Sequence, residues 1–434
     1  MTLSIENILV FLFLLGVLIF VHELGHFSVA RLFGIRVLVF SLGFGPRLFG
    51  IKRGSTDYRI SAIPVGGYVK LAGETPEDES SGGGDEFLAR PRYQRLLVLV
   101  MGATLNVLLA IGIWWVLLQT GMEEPAYYHQ AAVVGGVEDG SPAAQAELRV
   151  GDRIVSIDGT PVTSWKQLHT EVTLSPDQQR TLEVERAGTR LEAVIRLASS
   201  TRYQLGYAGI RPRLGVVVQG VTPGMPAAAA GMQPGDEIIA IDGQPVNDSA
   251  EVSELVKNRA GARIRLALRR AGEPLEQEVS VSATPEGGRI GVALGVPTIL
   301  QRHPPLEALR ESLNLAWESS GLMFRTLRKL FAGELSPRTM SGPIDIYKFT
   351  GNAWEQGKVT FFALMAAISL QLGLINLFPI PVLDGGHILV LLIEAGLRRD
   401  LSDRLKERVM QAGFVFLVLV MGMVIYFDVV KNFL

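Results

Sequence analysis

The chain has 434 residues, a net charge of −2, 48% hydrophobic residues and a positive mean hydropathy of +0.28. That length leaves room for two or more domains. The near-neutral charge gives no bias toward polyanions, and no nucleic-acid partner is expected. The absence of cysteine excludes disulfides, iron–sulfur clusters and cysteine-ligated zinc.

In chain order, the first apolar run spans 8–29, inside a first segment of 1–34. About 20 apolar residues cross a bilayer. Residues 1–7 carry no Lys or Arg and no small-residue cleavage site follows, so the run reads as a span rather than a signal peptide. It contains His22-Glu23-Leu24-Gly25-His26. Residues i and i+4 share a helix face, so both imidazoles point the same way. Glu between two such histidines is the general base in H-E-x-x-H zinc sites. Ionisable groups inside a span are costly and functional by default.

The loop 35–95 is expected on the cytoplasmic side. Ten Lys and Arg residues lie between 31 and 95. Within it, 58–71 alternates apolar and polar residues and then reaches Pro64 and Gly66-Gly67, which predicts a β-hairpin. The acidic, Gly/Ser-rich stretch 73–86 reads as a flexible linker. A second span covers 96–118.

The region 119–358 holds an internal repeat. Pro142, Gly151-Asp152 and Asp158-Gly159 recur as Pro226, Gly235-Asp236 and Asp242-Gly243, all at an offset of 84. Each copy reads as a short helix, a Gly-Asp turn, an alternating strand and an Asp-Gly turn. The period has the size of a domain, so these are two modules, placed at 127–200 and 210–295. The pattern resembles bacterial, circularly permuted PDZ domains, which implies binding of peptide termini by strand addition, with 213–221 as the groove segment of the second copy. An amphipathic helical segment is expected over 304–358.

The third span, 359–378, runs on into "NLFPIPVLDGG", so the segment is taken as 359–387. The fourth span is 409–427. Arg398, Arg399, Arg404, Lys406 and Arg408 lie between them, which places this loop in the cytoplasm and the long central region outside. Asp384 therefore lies on the same side of the membrane as His22 and His26. Pro379 and Pro381 break the helix before it, and Gly385-Gly386 suit a tight turn after it. A catalytic zinc site needs three protein ligands and an open position. His22 and His26 supply two, and Asp384 is the leading third ligand, ahead of His387. Two other readings stay open here: a membrane scaffold with a closed structural metal site, and a metal or solute transporter.

"HELGH" in the first span and "NLFPIPVLDGG" after the third resemble the paired motifs of site-2 proteases, the intramembrane zinc metalloproteases. Four spans with two PDZ-like modules between the second and third are similar to the bacterial regulator of sigma-E protease group. "FSLGFGP" (40–46), "YRISAIPVGGYVKL" (58–71) and "SGPI" (341–344) agree with it, so the resemblance covers nearly the whole chain. It implies a polytopic α-helical protein of the bacterial inner membrane. That protein has four transmembrane helices, a membrane-associated β-hairpin and two tandem extracytoplasmic PDZ domains. It further implies one Zn²⁺ held by His22, His26 and Asp384, with Glu23 activating the attacking water and carrying its proton to the leaving amine. Asn376 and the hairpin residues Gly67 and Tyr68 would bind substrate. Where the family commonly has a further Asn, this chain has Gln371. The implied partners are the lipid bilayer and single-pass membrane proteins, such as an anti-sigma factor already cut once by another protease, with remnant signal peptides as further candidates. The PDZ pair would exclude untrimmed substrates by size.

Overall fold

The computed structural model describes residues 4–74, 83–200 and 202–433. It divides into two units. One holds the residues up to Met122, with Arg302–Phe331 and the residues from Ser336 onward; the other holds Glu123–Gln301 with Ala332–Leu335.

The first unit begins with helix α1 (Ile5–Leu32), followed by the strands β1 (Val37–Arg53) and β2 (Thr56–Leu71) and helix α2 (Arg92–Thr120). It resumes with α3 (Pro305–Phe331), α4 (Pro343–Gln356), α5 (Lys358–Asn376), α6 (Asp384–Leu397) and α7 (Asp403–Phe433). Among the described residues, α1, α2, α5 and α7 are the four helices long and apolar enough to cross a membrane. The expected spans 8–29, 96–118 and 409–427 fall inside α1, α2 and α7, and that of 359–378 runs past the end of α5.

Small residues bring these helices close, as packing in lipid requires. Gly25 of α1 lies against the backbone of Met101 and Gly102 of α2. Gly373 of α5 lies against the Ala103 carbonyl, and Ser369 Oγ donates to the Asn106 carbonyl at 2.8 Å. Leu14 and Leu18 of α1 pack with Phe361 and Met365 of α5. At the far end of α7, Lys431 Nζ meets Asp345 Oδ2 of α4 at 2.6 Å, and Asp428 Oδ2 accepts from the Ile344 amide at 2.7 Å. That polar junction is where "SGPI" sits, with Pro343 opening α4.

Several boundaries differ from expectation. The segment 304–358 is not one amphipathic run but α3 and α4, separated by a break that contains a short turn of 3₁₀ helix, Pro337–Thr339. The helix of the third span stops at Asn376, and Asp384 opens the separate helix α6. Gly385 and Gly386 are therefore not a turn. They sit in the first turn of α6, where a Cβ would strike the backbone of 377–381.

The predicted hairpin 58–71 also needs correction. Its two arms do not pair with each other, because β1 lies between them. Phe40 is partnered by Tyr58 on one side and by Val69 on the other, and Ser41 by Arg59 and Tyr68. Alternation reports which face a residue takes, not which strand sits beside it. Among the described residues, 67–71 have one neighbouring strand, which makes them an edge. Of the expected linker 73–86, residues 75–82 lie outside the described residues. Its end is packed: Phe87 and Glu86 are buried, and the Arg36 amide donates to the Asp85 carbonyl at 2.9 Å.

In the second unit the repeat is visible element by element. The first copy has strand Val134–Val137, helix Pro142–Gln145, strand Arg153–Ile157, helix Trp165–Thr173 and hairpin Gln179–Arg186/Thr189–Arg196. The second has Val217–Val221, Pro226–Ala229, Glu237–Ile241, Ser249–Lys257 and Arg263–Arg270/Glu273–Ser280. Asp158-Gly159 and Asp242-Gly243 both take positive φ in their tight turns. The first copy does not end at 200. Its strand Ile210–Pro212 pairs with Val134–Val137, and Ala208 belongs to its core. In the second copy, Val217–Val221 is an interior strand, flanked by Glu237–Ile241 and Val292–Gly295. Among the described residues, the strand of the expected groove segment 213–221 therefore has no free edge; the edge beside it is Val292–Gly295, and Glu273–Ser280 is the edge at the other end of the sheet.

The repeated Gly-Asp also has a physical role. Asp236, buried, receives Arg270 Nε and Nη2 at 2.6 and 2.8 Å and the Gln233 amide at 2.8 Å. Asp152 does the same with Arg186 and the Arg149 amide. The Arg270 guanidinium, helped by that amide and opposed by burial, holds the Asp236 carboxyl below the usual carboxylate range. A carboxyl lowered on folding contributes stability above its unfolded value of ~3.9. That contribution is lost as pH falls through the lower folded value. The second module should thus lose stability to acid below about pH 4. Asp236→Asn should cost about 2 kcal/mol near neutral pH and flatten that acid dependence. Urea midpoints read by pulse proteolysis of the full chain at several pH values check both.

Candidate metal centre

Three potential ligand atoms from the two distant motifs converge. His22 Nε2 lies 3.2 Å from His26 Nε2, and Asp384 Oδ2 lies 3.2 Å from His22 Nε2 and 3.5 Å from His26 Nε2. The histidines arrive by ordinary helix geometry, whereas the chain reaches Asp384 through Val382, whose φ is 85°. The histidines are one turn apart on α1, with ring centroids 4.8 Å apart. Asp384 sits in the first turn of α6, after the chain has left α5 and passed through Pro379 and Pro381.

The donor set can be tested against zinc. Four ligands at about 2.0–2.1 Å from a tetrahedral ion lie about 3.3 Å from one another. The three observed separations bracket that value. Asp384 Oδ2 is buried and finds no hydrogen bond of good geometry among the described residues, which is the state of a ligand atom. His26 donates Nδ1–H to the Val98 carbonyl at 2.9 Å, which leaves its Nε2 lone pair for a metal. The residues fit the ion.

Close approach of α2 completes the centre. Gly102 lies directly behind the two imidazoles. A Cβ there would collide with His26 Nε2 and come within 2.9 Å of His22 Cε1.

A cavity of about 600 Å³ opens onto the triad, and Glu23, Gly67, Tyr68, Asn376 and His387 all line it. Glu23 lies beside the Val69 amide of the edge. The next outward amide along that edge, Leu71, donates to Glu74 Oε2 at 3.2 Å. Gly67 allows the edge to lie against α1, since a Cβ would stand 2.9 Å from Ile19 Cγ2 and 3.3 Å from Glu23 Cγ. Tyr68 is held from two sides: its ring stacks on Phe44 with centroids 6.0 Å apart, and its hydroxyl is engaged by Arg59. His387, ranked behind Asp384 as a ligand, lines the cavity but is not one of the three converging groups. Gln371 is exposed and does not line the cavity.

One residue near the triad escaped the sequence reading. Asn106 of α2, fully buried, places Nδ2 3.4 Å from His22 Nδ1. The signal was a lone amide in the apolar run "GATLNVLLA".

Comparison with known proteins is consistent across the chain. The pattern of peptidase family M50 matches residues 10–420. A Ralstonia nicotianae protein named as a zinc metalloprotease is 33% identical, covering 99% of each chain. The regulator of sigma-E protease RseP of Escherichia coli is 32% identical, covering 96% of this chain and 97% of that one. Among solved structures, the PDZ domain of an SdrC-like protein from Listeria monocytogenes is 24% identical, covering 19% of this chain and 87% of its own, with a TM-score of 0.18.

Proposed function

The chain belongs to peptidase family M50 and is a membrane-embedded zinc metalloendopeptidase, and from that premise we propose how its residues divide the work. His22, His26 and Asp384 hold one zinc ion, and Glu23 is the general base. The observation that carries this reading is the convergence of those three ligand atoms from motifs more than three hundred residues apart, with a carboxylate beside them in one cavity.

When bound, zinc polarises the scissile carbonyl and brings the pKa of a water toward ~7. Glu23 takes a proton from the attacking water and returns it to the leaving amine. Asn376, which lines the cavity, hydrogen-bonds the substrate backbone. His26 is kept in one tautomer by Val98, so its ring does not rotate as the site fills.

The substrate is a single-pass transmembrane segment. A helix hides its peptide bonds in its own hydrogen bonds, so cleavage requires an extended stretch. Residues 67–71 offer an edge onto which that stretch adds. In the resting chain the outward amide of Leu71 is held by Glu74, and that of Val69 lies beside Glu23. An incoming strand replaces both carboxylates, and the same event frees Glu23 for proton transfer. Val69→Pro removes the first of these amides at an edge position where proline is tolerated. It should retain zinc and lower kcat/KM for a transmembrane substrate about tenfold. Wild-type kinetics in that variant would show that substrate does not add at this edge.

The second unit serves selection. Its two modules are read as PDZ domains on the extracytoplasmic side, opposite the basic loops. In the second, Val292–Gly295 and helix Ser249–Lys257 border a groove of about 690 Å³. A peptide terminus would enter there as an added strand. The pair also limits the size of substrate that reaches the membrane, so an earlier cut by another protease comes first. Relatives named for regulation of sigma-E favour an anti-sigma factor as substrate and the bacterial inner membrane as location, with the catalytic centre toward the cytoplasm.

A further inference from the structure

We infer that Asn106 is a positioning residue of the metal centre: its side-chain carbonyl accepts the Nδ1 proton of His22 and so commits Nε2 of that ring to the metal. The inference rests on the zinc reading above and extends it to a residue outside both motifs.

Asn106 sits within the apolar helix α2 and is fully buried. An amide in such a place carries four hydrogen-bonding capacities that lipid and apolar side chains cannot satisfy. Its Nδ2 lies 3.4 Å from His22 Nδ1, while its Oδ1 is buried without a hydrogen-bond partner among the described residues. His22 Nε2 is the atom that faces His26 Nε2 and Asp384 Oδ2. An imidazole that gives its Nε2 lone pair to a metal keeps its proton on Nδ1 and is a donor there. A donor facing the amide nitrogen would be a clash of two donors. The two ends of a carboxamide have nearly the same shape, so exchanging them costs no space. The exchange gives the His22 proton an acceptor and the stranded Oδ1 a donor in one step.

The two histidines are then oriented by different means. His26 uses a backbone carbonyl, that of Val98 at 2.9 Å, which no substitution at that position removes. His22 depends on a side chain. That side chain's own backbone is tied to α5, because Ser369 Oγ donates to the Asn106 carbonyl at 2.8 Å. A polar residue serving only as glue between helices would be satisfied by such helix–helix bonds and would not need to face a ligand ring.

The test uses the full-length, zinc-loaded protein in detergent or nanodiscs, with competition by a chelator as the readout. Asn106→Leu keeps the branched shape at Cγ and removes the acceptor, and it should weaken zinc binding 10- to 100-fold, as loss of an outer partner does. Asn106→Asp keeps an acceptor oxygen at the same place and should hold zinc within a few-fold of wild type. The thermal midpoint of the metal-free proteins reports any purely structural damage. A second measurement needs no variant: nitrogen NMR of histidine-labelled wild type with zinc should show His22 protonated at Nδ1 and metal-bound at Nε2. Equal zinc affinity in Asn106→Leu and wild type, or a His22 protonated at Nε2, would overturn the role of Asn106. So would equal losses in the Leu and Asp variants. Wild-type protein that binds no zinc would instead overturn the metal reading itself.

Discussion

Glu23→Gln is expected to bind zinc as the wild type does and to cut a transmembrane substrate at least about 10³-fold more slowly. The substitution is nearly isosteric and leaves His22, His26 and Asp384 untouched. The three ligand separations of 3.2, 3.2 and 3.5 Å do not involve Glu23. What changes is chemical: a carboxylate that can take a proton from water becomes an amide that cannot. The side chain keeps its length and its place beside the Val69 amide, so the cavity keeps its shape. Metal content measured beside the cleavage rate separates the two effects. Full activity with full metal would remove Glu23 from the proton path.

Asp384→Ala is expected to fail earlier, at the metal. It removes one of three ligands and leaves the two imidazoles alone, so zinc affinity should fall by more than about 100-fold, beyond the loss from an outer partner. Activity should fall with metal occupancy and be partly restored by added zinc. The geometry explains why no neighbour substitutes. His387 is the nearest alternative on α6, yet it is not among the three converging groups. Unchanged zinc content in Asp384→Ala would place the third ligand elsewhere.

Much of the site could be read from sequence because its cost was visible there. "HELGH" stands out in an apolar run, and Asp384 stands out beside a proline-broken helix on the same charged side. Span positions followed from hydropathy, and the two modules from a constant offset. Less could be read where identity depends on neighbours. The 58–71 segment alternates as a strand should, but alternation does not reveal that residues 39–42 lie between its arms. The backbone around Asp384 was not legible, since nothing local says that "DGG" opens α6 rather than a turn. The first module was cut short because the copies stop matching at one offset after 200, where Ile210–Pro212 corresponds to Val292–Gly295. Asn106 and Gly102 matter only because α1 presents two imidazoles to them, and that contact spans the whole loop between the first two helices.

The most direct measurement is cleavage of a trimmed single-pass membrane protein by the purified chain in proteoliposomes. Metal-stripped and zinc-restored enzyme are compared, and the products are identified by mass spectrometry. One cut within or next to the transmembrane segment is expected, absent from the stripped enzyme and restored by zinc. Cleavage by the stripped enzyme at an equal rate, or a cut confined to the soluble part of the substrate, would contradict it.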